Sequence, residues 1–123
     1  MAIRQQLEAT YGPIDQETAL LPFVATRFYE REMGPALQRL FWSFDALIAA
    51  DALAGMKHET NAIEQTYAVN AGHVWHRRVN LDPGYVDLAK LVLATTKDRQ
   101  HRLYLGRGIY AEVTLRYTGG RFV

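Results

Sequence analysis

Ile3, Leu7 and Tyr11 recur every four residues, which is the spacing of one helical face, and Gly12-Pro13 follows at once. That pair ends a helix: the glycine can turn left-handed and the proline cannot extend the hydrogen-bond ladder. From Leu21 to Tyr29 aromatic and β-branched side chains dominate and predict a strand. Pro22 places its start at a sheet edge, because proline has no N–H to give a neighbour. Glu30 to Pro35 reads as a turn. Between Leu37 and Ile48, Leu40, Trp42 and Phe44 alternate as in a strand, while Leu37, Leu40, Phe41 and Phe44 also fit a helical stripe. The strand is the preferred reading, with Phe41, Trp42 and Phe44 expected in the core.

The clearest helix runs from Ala50 to Ala71, where Leu53, Met56, Thr60, Ile63 and Tyr67 step three and four apart. This narrow stripe is expected to face the core, leaving Lys57, His58, Glu59 and Glu64 wet, with Gly72 as the C-cap. The last third reads as a β-meander with strands Arg77 to Leu81, Lys90 to Thr96, His101 to Leu105 and Ile109 to Tyr117. Asp82-Pro83-Gly84, Lys97 to Gln100 and Gly106-Arg107-Gly108 supply the turns, and Thr118-Gly119-Gly120 a final one. Along the last strand Tyr110, Glu112, Thr114 and Arg116 are expected on a polar face, and Ala111, Val113, Leu115 and Tyr117 on the core face.

Composition narrows the class. A chain of 123 residues, 49% hydrophobic and 22% charged, reads as a single domain over 1–123 that folds without staples. Its apolar runs fall short of the roughly 20 residues of a membrane span, and its start lacks the pattern of an export signal, so a cytoplasmic location is expected. The absence of cysteine excludes disulfides, thiolate catalysis and Cys-based zinc sites. The net charge of +1 conceals an asymmetry: residues 1 to 72 hold five Lys/Arg against nine Asp/Glu, and residues 73 to 123 hold nine against four. A half with a charge of +5 favours anionic partners, unless the two halves simply neutralise each other.

Three segments carry a family resemblance: Tyr29-Glu30-Arg31-Glu32-Met33-Gly34, Arg78-Val79-Asn80-Leu81-Asp82-Pro83-Gly84-Tyr85, and Lys90 to Lys97 continuing through His101 to Gly106 and Gly108 to Leu115. On these the chain resembles the bacterial and archaeal domain-of-unknown-function family 4416 over nearly its whole length. The resemblance implies no activity. Relatives usually open with a further hydrophobic strand and close with an aromatic, proline-containing tail, so the chain resembles a shortened member. An exposed sheet edge and a homodimer formed through it are then expected. Together with that extra strand, the element order implies an α+β fold: a ferredoxin-like antiparallel sheet with two helices, extended by the C-terminal β-meander. Such folds host many functions.

The candidate chemistry lies in the basic half. Lys97, Arg99, His101 and Arg102 crowd one turn and supply donors for an oxyanion, although an exposed charged turn would carry the same residues. Glu112 is a candidate general base with His101, or else a structural partner of Arg102 or Arg78. Asp82 and Tyr85 flank a turn fixed by Pro83 and Gly84 and are candidate ligand contacts, as is Tyr110. Gly106-x-Gly108 lacks the third glycine and the helix of a dinucleotide site. His73 and His76 lack a third zinc ligand, so no metal is expected, and the sequence names no cofactor. Glu30 and Glu32 fit surface ion pairing. The leading expectation is a small phosphate- or carboxylate-bearing ligand held by Arg78, Lys97, His101 and Arg102, with Glu112 and Tyr85 or Tyr110 orienting it, in a binding domain or an enzyme. RNA or single-stranded nucleic acid on exposed Tyr85, Tyr104, Tyr110 and Tyr117 is the first alternative. An interaction module without a ligand site is the second.

Overall fold

The structure, a computed structural model, describes residues 2–22, 30–33 and 37–123. It falls into two compact units, residues 1–47 and 48–123. The chain is α+β, with helices and antiparallel strands in each unit.

In the first unit, helix α1 (Ala2–Tyr11) buries Ile3 and Leu7, as the four-residue spacing predicts. It stops at Gly12, whose φ is 93° and whose N–H donates to the Glu8 carbonyl at 2.9 Å. Strand β1 (Ile14–Glu17) then pairs antiparallel with β4 (Trp42–Phe44), and β2 (Leu21–Pro22) pairs with β3 (Gln38–Arg39). The strand preferred for Leu37 to Ile48 is present as these two short pieces. The expected strand beyond Pro22 and the turn at Gly34-Pro35 lie outside the described residues, and Glu30–Met33 forms one helical turn, α2. Trp42 is half-buried and donates from Nε1 to Glu17 Oε2 at 3.0 Å, with the Arg4 guanidinium 5.9 Å from its ring. Phe44 meets Tyr11 edge to face, but Phe41 is exposed, so these three aromatics do not form a core together.

In the second unit, one turn of 3₁₀-helix (Ala50–Ala52) leads into α3 (Leu53–Thr66). The helix ends earlier than the sequence predicts. Its expected cap, Gly72, instead sits with His73 in the two-residue turn between β5 (Val69–Ala71) and β6 (Val74–His76). Both turn residues have positive φ, 61° and 62°, which is the backbone twist that tight hairpins demand.

Five strands follow: β7 (Gly84–Val86), β8 (Lys90–Thr95), β9 (Arg102–Gly106), β10 (Ile109–Thr118) and β11 (Arg121–Phe122). They form a five-stranded antiparallel sheet in the order β11-β10-β8-β7, with β9 also on β10. The strand expected at Arg77 to Leu81 is irregular backbone, and the ladder begins only at Gly84. A side chain at Gly84 would collide with the Val92 carbonyl and stand 2.6 Å from Leu93 Cδ2, so only glycine fits. Within this unit β7–β8, β9–β10 and β10–β11 pair as consecutive strands, but β8 pairs with β10 and not with β9, so the order departs from the expected meander. The ferredoxin-like strand order is not among the ladders described either.

Helix α3 packs on β8 and β10, and Leu53, Ala54, Val92, Ala94 and Ile109 form the core, flanked by Tyr85 and Ala111. Fully burying Leu53 and Ile109 contributes about 1.5–3 kcal/mol each. Cross-strand partners share a face, so Val92, Ala94, Ala111 and Tyr85 point to the helix, while Leu93, Arg102, Glu112, Tyr104 and Tyr110 point away. A bulge then changes the order. Val113 faces Val92 but Leu115 faces Leu91, so β10 holds one extra residue and the two faces exchange beyond it. The expected division of the strand into a polar and a core face therefore holds from Tyr110 to Val113 and fails at Leu115, and Val113 itself is exposed.

Candidate functional site

Arg102 opens β9 directly opposite Glu112 of β10, on the sheet face away from α3. Its Nε donates to Glu112 Oε1 at 2.9 Å, and its Nη1 donates to the Lys97 carbonyl at 2.9 Å. One guanidinium thus closes the 97–102 turn and ties it to the next strand, aided by the Arg102 N–H donating to the Arg99 carbonyl at 3.1 Å. His101 Nε2 lies 2.8 Å from the same Glu112 oxygen. The Arg102 hydrogen bond, followed by that of His101, outweighs partial burial and holds the Glu112 carboxyl below the ordinary carboxylate range. Ionised Glu112 can only accept, so His101 Nε2 donates the hydrogen of this contact. The histidine is 62% exposed and open to solvent.

These contacts bring together Glu112, His101 and Arg102, with Lys97 joined through its backbone and its exposed side chain on the same turn. Tyr110 shares their face and meets the Tyr104 ring at 5.1 Å between centroids. The remaining sequence candidates lie elsewhere. Tyr85 packs on the core side of the sheet. Asp82 belongs with helix α3, where its Oδ1 is 3.6 Å from Lys57 Nζ, and Arg78 is exposed in the irregular segment 77–83.

A second constellation was not expected. Lys57 and Glu64, assigned to the wet face of α3, are 6% and 3% exposed. Lys57 Nζ donates to the Leu81 carbonyl at 3.1 Å, and the Leu81 N–H donates to Glu64 Oε2 at 2.6 Å. Arg77 Nη1 stands 3.6 Å from Glu64 Oε1 and donates to Asn80 Oδ1, while Asn80 Nδ2 donates to Asp82 Oδ2. Two helix side chains therefore do for Leu81 what a neighbouring strand would do, which explains why residues 77–83 need no ladder. Burial raises the Glu64 carboxyl, against the Leu81 hydrogen bond and the charges of Lys57 and Arg77. A signal was available. Leu53, Lys57, Thr60 and Glu64 follow the same 4-3-4 spacing as an apolar stripe, so placing Leu53 and Thr60 inside carries Lys57 and Glu64 with them.

Among the described residues every buried side-chain nitrogen or oxygen has a hydrogen-bond partner, and no group of three or more His, Asp or Glu is placed to hold a metal ion. No described helix is long and apolar enough to cross a membrane. In comparisons with known proteins, a family model described as Domain of unknown function (DUF4416) matches residues 1–123. No curated protein and no solved structure matches the chain.

Proposed function

The chain belongs to the DUF4416 family, and from that premise we propose that it is a cytoplasmic domain that binds a small phosphate- or carboxylate-bearing anion at the 97–102 turn. The observation that carries this reading is the fixed Arg102 guanidinium. Two of its five N–H donors are engaged by Glu112 and the Lys97 carbonyl, which orients the group beside exposed His101, Lys97 and Arg99. In the catalytic form of the same reading, Glu112 orients His101 as a general base through Nδ1. The homodimer belongs to the proposal as edge pairing by β7, β9 or β11, which flank the sheet.

Thermal shifts with inorganic phosphate, pyrophosphate, citrate and sugar phosphates test it. A ligand at 100 times its Kd adds about 2.7 kcal/mol to the wild type. That gain should vanish in Lys97→Ala/Arg102→Ala. No stabilisation of the wild type, or an equal one in the double variant, refutes the reading. A second reading is favoured by the shared Glu112 oxygen: the two cations and the carboxylate serve only to hold β9 on β10. It expects Arg102→Ala to lose stability while no anion stabilises the wild type.

A further inference from the structure

We infer that the anion taken at the 97–102 turn is a backbone phosphate of unpaired nucleic acid, whose adjacent base stacks on Tyr104. This rests on the anion-binding reading and names its ligand class. Tyr104 and Arg102 are two residues apart on β9, so both side chains leave the sheet on the face away from α3. Tyr104 is 62% exposed even though its hydroxyl accepts a hydrogen bond from the Gly108 N–H at 3.1 Å and its ring leans on Tyr110. Both contacts fix the ring, so a flat aromatic surface is held in place before any base arrives. Little entropy remains to be lost on stacking.

The neighbouring charges suit a polyanion. Lys97, Arg99 and Arg102, with His101, lie within six residues of one turn, against Asp98, and Glu112 on the facing strand is paired with Arg102 and His101. The same face continues past the bulge to a second aromatic pair, Tyr117 and Phe122, with ring centroids 5.3 Å apart and both residues exposed. Tyr117 lies seven positions beyond Tyr110 on β10, roughly 20 Å of strand. Stacking platforms beside a cationic track recognise single strands, because a duplex hides the faces of its bases.

The test is fluorescence anisotropy with a labelled ten-nucleotide polyuridine, alongside calorimetry with inorganic phosphate, on the full chain. The wild type should bind the oligonucleotide with log K falling against log salt at a slope of roughly −2, as for three neutralised phosphates on a single strand. Tyr104→Ala should weaken it on the order of tenfold and leave phosphate binding unchanged. Tyr104→Phe keeps the ring and should keep the affinity, which guards against a folding defect in the alanine variant. A blunt-ended duplex of the same length should bind more weakly. Phosphate binding without oligonucleotide binding overturns this inference and leaves the anion reading standing. So does oligonucleotide affinity indifferent to Tyr104→Ala, or a dimer that Tyr104→Ala dissociates in the absence of oligonucleotide binding. Failure of both ligands removes the two readings together.

Discussion

Replacing Lys57 with methionine should destabilise the second unit by about 2–4 kcal/mol. Methionine keeps most of the side-chain volume, so cavity formation adds little. What is lost is a charged donor that is 6% exposed and bonded to the Leu81 carbonyl at 3.1 Å. A hydrogen bond to a charged group contributes roughly 1.5–3 kcal/mol. Its removal also leaves the Glu64 carboxylate, 3% exposed, with Arg77 as its nearest cation at 3.6 Å. Breaking a buried charge arrangement from one side costs up to about 3–5 kcal/mol, and the sharing of Glu64 with Arg77 and Leu81 keeps this case below that limit. Asp82 is mostly exposed, so its share is roughly 1 kcal/mol at most. Urea denaturation should show a lower midpoint at unchanged slope, and hydrogen exchange should show faster exchange of the Leu81 amide. In Glu64→Gln the amide oxygen still accepts from Leu81, and the double variant should lose about 1 kcal/mol less than the sum of the singles. A Lys57→Met change within about 0.5 kcal/mol of wild type, or strict additivity, would refute the clamp.

Two carboxylates should tilt the pH profile in opposite directions. The Glu64 carboxyl is raised by burial, so over the interval from the ordinary carboxylate value up to its folded value the native state holds more protons, and stability falls as pH rises. For Glu112, lowered chiefly by Arg102, the contribution is present above the ordinary value and is lost as pH falls through the depressed one. Glu64→Gln and Glu112→Gln, melted from pH 3 to pH 7, should each flatten their own slope; matching slopes in both would contradict the assignment. Gly84→Ala should cost about 2 kcal/mol or more, because its Cβ meets both Val92 and Leu93, and a neutral result in urea would show that β7 has room to move. His73→Gly should gain roughly 0.5–1 kcal/mol by removing a side chain from a φ of 62°, as read from the thermal midpoint.

Where local pattern determines the outcome, the sequence was enough. Helix α1 follows from its four-residue spacing and Gly12-Pro13, and β8, β9 and β10 from alternation between glycine-bearing turns. The pairing of Glu112 with Arg102 was among the readings open beforehand, but the register that produces it was not, since a strand's own residues do not select their partners. Strand β1 has Ile14 as its sole apolar residue and gave no signal. Arg77 to Leu81 alternates like a strand, yet its backbone is satisfied by Lys57 and Glu64, residues that polarity alone assigns to solvent. Gly72 illustrates a genuine degeneracy, because a glycine after a helical pattern serves a cap and a hairpin equally well. Tyr85 and Tyr110 looked interchangeable as ligand contacts until register put them on opposite sides of the sheet.

The extra residue between Val113 and Leu115 is absorbed without disturbing the pairing on either side of it. Deleting Thr114 would leave Leu115 opposite Leu91 and Arg116 opposite Lys90, so every later side chain would keep its face. The bulge thus makes position 114 a place where the chain changes length by one residue without exchanging the two faces of the sheet.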